Sequence, residues 1–143
     1  MLSYILLLCI LCVSGVVPSI LPGEKEQTVA VNGTLLCGTQ PLTDAEIKLW
    51  DEDIWPDPDD LMGTAYTDSR GSFFVSGTET EMTSIDPVLK IYHNCNNRWP
   101  CKRKVRFTIP DSYINPGRNT SKVYLIGSIN MEMKFHDEER DCF

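Results

Sequence analysis

Apolar and polar side chains alternate in short runs along the chain, with the period of two expected of strands that bury one face. Val29, Val31, Gly33, Leu35 and Cys37 share one parity, and Thr28, Ala30, Asn32 and Thr34 take the other. This predicts a strand with Asn32 pointing outward. Gly38-Thr39-Gln40-Pro41 ends it. Ala45, Ile47 and Leu49 then alternate with Glu46, Lys48 and Trp50, and Leu61 to Thr67 reads as a third strand. Asp68-Ser69-Arg70-Gly71 supplies a turn in which Gly71 suits a positive φ, and Ser72 to Ser76 follows with Phe73 and Val75 on one side. Glu79 to Ser84 has room for one helical turn. Pro87 can only open the next strand, since proline gives the ladder no donor; there Leu89 and Ile91 alternate with Lys90 and Tyr92. Val105, Phe107 and Ile109 alternate with Lys104, Arg106 and Thr108. The last run, Val123, Leu125, Gly127, Ile129, Met131 and Met133, keeps a single parity, with a bulge expected at Gly127.

Seven strands at this spacing, without an amphipathic helix, predict an all-β fold: an antiparallel β-sandwich of seven to eight strands. A chain of 143 residues is one domain. Its 20 Asp and Glu outnumber 13 Lys and Arg, for a net charge of −7. That balance argues against a general nucleic-acid binder, which needs a basic surface to neutralise phosphates.

The N-terminus changes the picture. Leu2 to Val13 is one apolar block, shorter than the roughly 20 residues a spanning helix needs. Val13-Ser14-Gly15 then presents compact side chains, so residues 1–15 read as a signal peptide, with cleavage after Ser19 as the alternative. Residues 16–27 read as a flexible lead-in and 28–143 as the folded domain. The mature chain is expected to be secreted, with no transmembrane segment. Cys9 and Cys12 leave with the leader, and Cys37, Cys95, Cys101 and Cys142 remain as two disulfides. Three pairings are open. Cys95 and Cys101 enclose a five-residue tip and can meet locally, which favours Cys95–Cys101 with Cys37–Cys142. A zinc site is disfavoured because no paired Cys-x-x-Cys spacing is present. Asn32-Gly33-Thr34 and Asn119-Thr120-Ser121 are glycan acceptor sequons, whereas Asn115 precedes Pro116 and is not.

The order of Cys37, Trp50 and Cys95 falls within the range of an immunoglobulin domain. The tyrosine-corner position, two before the second Cys, is however His93, and Tyr92 stands one place too early. A different series of motifs covers the whole mature chain. It runs Val31-x-Gly33-x-Leu35-x-Cys37-Gly38, Lys48-Leu49-Trp50-Asp51-x-Asp53, Asp59-Asp60-Leu61-Met62 and Thr67-Asp68-Ser69-Arg70-Gly71-Ser72-Phe73. It continues with Asp86-Pro87-x-Leu89-Lys90-Ile91-Tyr92-His93-x-Cys95, Cys101-x-Arg103-Lys104, Ile109-Pro110-Asp111, Gly127-Ser128-Ile129-Asn130 and Glu139-Arg140-Asp141-Cys142. In this order, from about residue 28 to residue 142, the motifs resemble the nematode transthyretin-like family. The resemblance implies a secreted, disulfide-bonded sandwich of the transthyretin (prealbumin) type and little chemistry. The related hydroxyisourate hydrolases use paired histidines, an arginine and a Tyr-Arg-Gly-Ser terminus. This chain has His93, His136 and Arg140-Asp141-Cys142-Phe143 instead, so neither that activity nor hormone binding carries over.

Three constellations are candidates for function. His93 has the inward parity of Leu89 and Ile91 and reads as a hydrogen-bonded core histidine; His136, in an acidic tail, reads as solvated. No nucleophile elbow, zinc-protease motif or phosphate loop is present, so no enzyme, metal or cofactor is expected. Asp51, Glu52, Asp53, Asp57, Asp59 and Asp60 crowd six carboxylates into ten residues. A solvated acidic hairpin is preferred there over a calcium site, since Pro56 stands where an EF-hand needs Gly. Finally, Arg98, Trp99, Lys102, Arg103, Lys104 and Arg106 form a basic stripe with one aromatic, and Lys102, Lys104 and Arg106 share an outward face. This stripe is the candidate binding face, for an extracellular protein or an anionic surface such as phospholipid headgroups or sulfated glycan. The competing reading is a solubilising face partnered by the acidic loop. The expected function is thus extracellular surface recognition. The alternative is a carrier of a small hydrophobic ligand, which needs a cavity above about 300 Å³.

Overall fold

The computed structural model describes residues 20–142, so the leader and its cleavage sites lie outside the described residues. The chain folds as two five-stranded sheets. The strands are β1 (Lys25–Cys37), β2 (Gln40–Pro41), β3 (Glu46–Asp51), β4 (Asp60–Tyr66), β5 (Ser72–Glu81), β6 (Pro87–His93), β7 (Lys102–Thr108), β8 (Asn115–Pro116), β9 (Tyr124–Asn130) and β10 (Glu139–Asp141). Among the described residues the one helical element is a 3₁₀ turn at Asp111–Tyr113. No helix there is long and apolar enough to cross a membrane.

The second sheet has the order β10-β7-β6-β3-β4 and is antiparallel throughout. The first is built on β1, which is bonded along both edges. β5 and the short β2 run along one edge; β8 and β9 run along the other. The β1–β9 pair is parallel, a departure from the purely antiparallel sandwich expected. The predicted parities meet between the sheets. Val29, Val31, Leu35, Ile47, Leu49, Val75, Leu89, Ile91, Val105 and Met131 are buried in one cluster. Gly71 adopts the predicted positive φ of 76° in a turn closed by its N–H on the Asp68 carbonyl.

Three local expectations need correction. Alternation puts Thr28 and Ala30 on the outward parity, but both are buried. The 113–122 segment covers that end of β1: Thr28 donates to the Gly117 carbonyl at 2.6 Å, and Asn115 donates to the Thr28 carbonyl at 3.2 Å. The final run does not keep one parity. The bulge at Gly127, with φ 79°, shifts the register, so Tyr124 and Ile126 pack on the core and Leu125 is 71% exposed. Glu79 to Glu81 extend β5 rather than forming a helical turn.

The disulfides are Cys37–Cys95 and Cys101–Cys142, not Cys95–Cys101 with Cys37–Cys142. Cys95 follows β6 on its inward side and meets the end of β1 across the sandwich. Cys101 and Cys142 sit just beyond the paired residues Lys102 and Asp141, where β7 and β10 run antiparallel. The Cys37–Cys95 spacing does not make an immunoglobulin core. Trp50 lies on the other face of β3 from Ile47 and Leu49, with the Lys90 ammonium 5.1 Å above its ring.

The sheets also touch along one side, where β4 meets β5. A Cβ on Gly63 would stand 2.5 Å from the Ser76 carbonyl oxygen, and one on Gly77 would stand 2.4 Å from that of Met62. Only glycine lets the two backbones approach this closely.

Candidate functional site

β7 divides the basic stripe by parity. Lys102, Lys104 and Arg106 point outward as expected, but each has an acidic partner. Lys102 Nζ lies 3.8 Å from Glu46, Lys104 Nζ lies 3.3 Å from Glu139, and Arg106 forks onto Glu52. Lys90 joins them, 3.3 Å from Glu52 and 3.5 Å from Asp59. A groove of about 240 Å³ runs between Glu52, Lys90, Lys104, Arg106, Asp137 and Glu139. The outer face of this sheet is therefore a lattice of opposite charges, and the acidic loop partners part of the stripe within one molecule. Such exposed pairs contribute little to stability, but they leave less free positive charge for an anionic partner than the sequence implied.

Arg103 does not belong to this face. It has the inward parity of Val105 and is 4% exposed. All five of its N–H donors are used. Nε and Nη2 donate to the two carboxylate oxygens of Glu138 at 2.6 and 2.7 Å. Nη1 donates to the carbonyls of Cys95 and Met131 at 2.8 and 2.7 Å, and Nη2 also donates to that of Met133 at 2.8 Å. Hydrogen bonds from Arg103 hold the Glu138 carboxyl below the ordinary carboxylate range. His93 packs beside this pair at 2% exposure. Its Nδ1 accepts the Cys95 N–H at 3.1 Å, and its Nε2 is buried without a partner. Burial first, and the Arg103 charge second, push its pKa down to about 4. His93 is thus a neutral core histidine, as its parity suggested. His136 is exposed beside Asp137.

Arg98 and Trp99 stand apart. They occupy the tip between Cys95 and Cys101, and each of these cysteines is bonded to a distant part of the chain. Within the tip Asn97 is the organiser. Its Nδ2 donates to the Cys101 carbonyl at 2.7 Å and to Asn94 Oδ1 at 3.0 Å, and its Oδ1 accepts from the Trp99 N–H at 3.2 Å and from Arg140. Asn96, with φ 48°, donates to Glu132 at 3.0 Å. On this frame Trp99 is 69% exposed and Arg98 has no carboxylate partner among the described residues.

Four of the six acidic residues divide between two sides of the loop after β3, while Asp57 and Asp60 lie exposed. Glu52 turns to the outer face, and Asp59 reaches Lys90 while its Oδ1 accepts the Asp53 N–H at 3.3 Å. Asp51 and Asp53 turn the other way, toward Glu81 of β5. Between them the loop tip exposes Ile54 and Trp55 at 86% and 89%. Burial of the Glu81 carboxyl, reinforced by the Asp51 and Asp53 charges, pushes its pKa up to about 7. Sequence reasoning missed Glu81 because nothing in the chain order joins it to residue 51. It also counted Arg103 as a surface charge although its parity already placed it inside.

Both sequon asparagines are exposed. Asn32 lies in register with Phe74 on one side and Leu125 on the other, and these are 52% and 71% exposed. Asn119 Oδ1 accepts the Ser121 N–H at 2.6 Å.

Against known proteins, residues 32–110 match the profile of a family described as Transthyretin-like family. Transthyretin-like protein 33 of Caenorhabditis elegans is 44% identical over 117 residues, which span 81% of this chain and 82% of that protein. Transthyretin-like protein 46 of the same organism is 45% identical over 119 residues, spanning 82% and 66%. A solved 9R-lipoxygenase from Cyanothece overlaps 73% of this chain and 16% of that one, at 23% identity and a TM-score of 0.43, too loose to inform fold or function.

Proposed function

The chain belongs to the transthyretin-like family, and from that premise we propose that it is a secreted extracellular protein that works by surface recognition rather than catalysis. The recognition element is the Arg98–Trp99 tip with the adjoining Lys102 end of the basic face. Its partner is an extracellular protein or an anionic cell surface, such as phospholipid headgroups or sulfated glycan. One observation carries this reading: a large amphipathic ring and a guanidinium with no carboxylate partner among the described residues stand exposed on a loop pinned at both ends. A loop fixed in this way loses little backbone freedom on binding, so more of the contact energy of the two side chains becomes affinity. Lys104 and Arg106 are neutralised by Glu139 and Glu52, so they set orientation and rate more than strength. Support for export comes from the apolar leader and the two disulfides, which persist in oxidising compartments. In that setting Asn32 and Asn119 are the proposed glycan sites.

The carrier reading gains no support from the interior, which Val31, Leu35, Ile47, Leu49, Leu89 and Ile91 fill. Two surface grooves reach about 330 and 340 Å³, but charged and polar groups line much of each.

The test compares the secreted protein with an Arg98→Ala/Trp99→Ala variant in two assays. These are sedimentation with phosphatidylserine vesicles and affinity capture from extracellular fluid, each at low and high salt. The variant should lose binding in one of them, and the loss at high salt should be partial for an arginine-and-ring contact. Equal binding by both proteins in both assays would overturn the proposal.

A further inference from the structure

Three carboxylates from two different sheets converge where β3 runs into the loop bearing Ile54 and Trp55. Asp51 ends β3, Asp53 follows on the same parity, and Glu81 ends β5. One oxygen from each lies within 4.8 Å of the others. Acid clustering alone would mean little on so acidic a surface. The second observation is Asp51 itself. It is 1% exposed; its Oδ1 accepts the Asp86 N–H at 2.7 Å, while its Oδ2 is buried with no hydrogen-bond partner. A buried carboxylate oxygen left without a donor is costly, and native structures rarely tolerate one without an ion or other partner. No base answers it. None of the three is ion-paired among the described residues, and the charges acting most strongly on them include Asp57, Asp59, Asp60, Glu79 and Asp86. Lys90, the lysine closest along β6, is engaged on the opposite face by Glu52 and Asp59.

We propose that Asp51, Asp53 and Glu81 form a binding site for a divalent cation, calcium, which ties the end of β3 in one sheet to the end of β5 in the other. The donors are all hard oxygens, with no histidine or thiol among them, which suits calcium over zinc. The arrangement is irregular, and calcium accepts irregular shells of six to eight oxygens where magnesium demands a near-ideal octahedron. Two oxygens facing each other across calcium stand about 4.8 Å apart at about 2.4 Å each, a span that the three oxygens fit. Waters and the second oxygens of Asp53 and Glu81 would complete the shell. The bound ion would fix the root of the Ile54–Trp55 loop.

CaCl₂ titrated into the EDTA-dialysed full chain by calorimetry, with MgCl₂ in parallel, tests this. The expected result is one site with a Kd of about 10⁻⁴–10⁻³ M, the range of extracellular calcium modules, and a Tm that rises with CaCl₂. Hydrogen exchange of amides 52–59 should slow when calcium is present. Asp53→Asn and Glu81→Gln carry the mutational arm, because these two are only half-buried and the fold should survive, as checked by circular dichroism. Each should weaken binding at least tenfold. No heat and no Tm change up to about 10 mM CaCl₂ overturns the proposal, as does binding that persists in both variants. An equal response to MgCl₂ overturns the assignment to calcium.

Discussion

Replacing Arg103 with methionine should be among the most damaging single changes in this domain. Methionine matches the aliphatic part of the side chain but offers no donor. The substitution strands the Glu138 carboxylate, 7% exposed, and frees the carbonyls of Cys95, Met131 and Met133. Breaking a buried ion pair from one side costs about 3–5 kcal/mol, because the remaining charge stays desolvated. For a chain of this size each kcal/mol moves Tm by about 3–4 °C, so the loss should be about 9–20 °C. Arg103→Lys should recover only part of it, since three donors replace five and cannot fork onto the carboxylate. Pairing Arg103→Met with Glu138→Leu removes the orphaned charge, so the double variant should be more stable than the two single losses added together. Urea unfolding with a double-mutant cycle measures each quantity. A loss below about 1 kcal/mol for Arg103→Met, or strict additivity in the cycle, would show that water reaches the pair and refute its burial.

Other outcomes follow from the same geometry. His93 titrates at about 4 in the folded chain against an ordinary 6.5, so its neutral form is favoured: its contribution is complete above pH 6.5 and is lost as pH falls toward 4. The loss amounts to about 3 kcal/mol, and denaturant midpoints across pH 7 to 4 should show it flattened in His93→Gln. The two disulfides close loops of 58 and 41 residues, each worth about 4 kcal/mol in the chain-entropy treatment. They should nevertheless differ in reactivity: Cys95 is 3% exposed while Cys142 is open to solvent, so limited reductant followed by alkylation and mass mapping should label Cys101 and Cys142 first. Gly77→Ala forces a Cβ against the Met62 carbonyl and should cost about 1–3 kcal/mol, read as a lower Tm with an unchanged strand signature; an unaltered Tm would mean that β4 and β5 do not touch there.

The long strands were legible because parity and burial are the same information wherever one face meets a core. Val29, Ile47, Leu89 and Val105 are where alternation put them. Thr28 failed because a segment nearly ninety residues away covers its outer side, and periodicity cannot report a cover. The disulfides failed for a related reason. Local closeness of Cys95 and Cys101 says nothing of where their Cβ atoms point, and the pairing of Cys101 depends on β10. That strand, Glu139-Arg140-Asp141, has no apolar alternation to announce it. Of the candidate face, the Arg98–Trp99 tip was visible as a charged aromatic loop. The acidic partners of Lys102, Lys104 and Arg106 come from β3, the β3–β4 loop and β10, and only the register of the sheet joins them.

The guanidinium of Arg103 sets an order of events during synthesis. Its strand leaves the ribosome while the carbonyls of Met131 and Met133 and the carboxylate of Glu138 are still unmade. Until residues 131–138 emerge, four of its five hydrogen bonds have no protein partner, so the cation keeps its water and this end of the two sheets cannot finish closing. A message truncated before residue 131 would therefore yield a polypeptide that quality control meets as an unsealed half-product, not a slightly shortened native one.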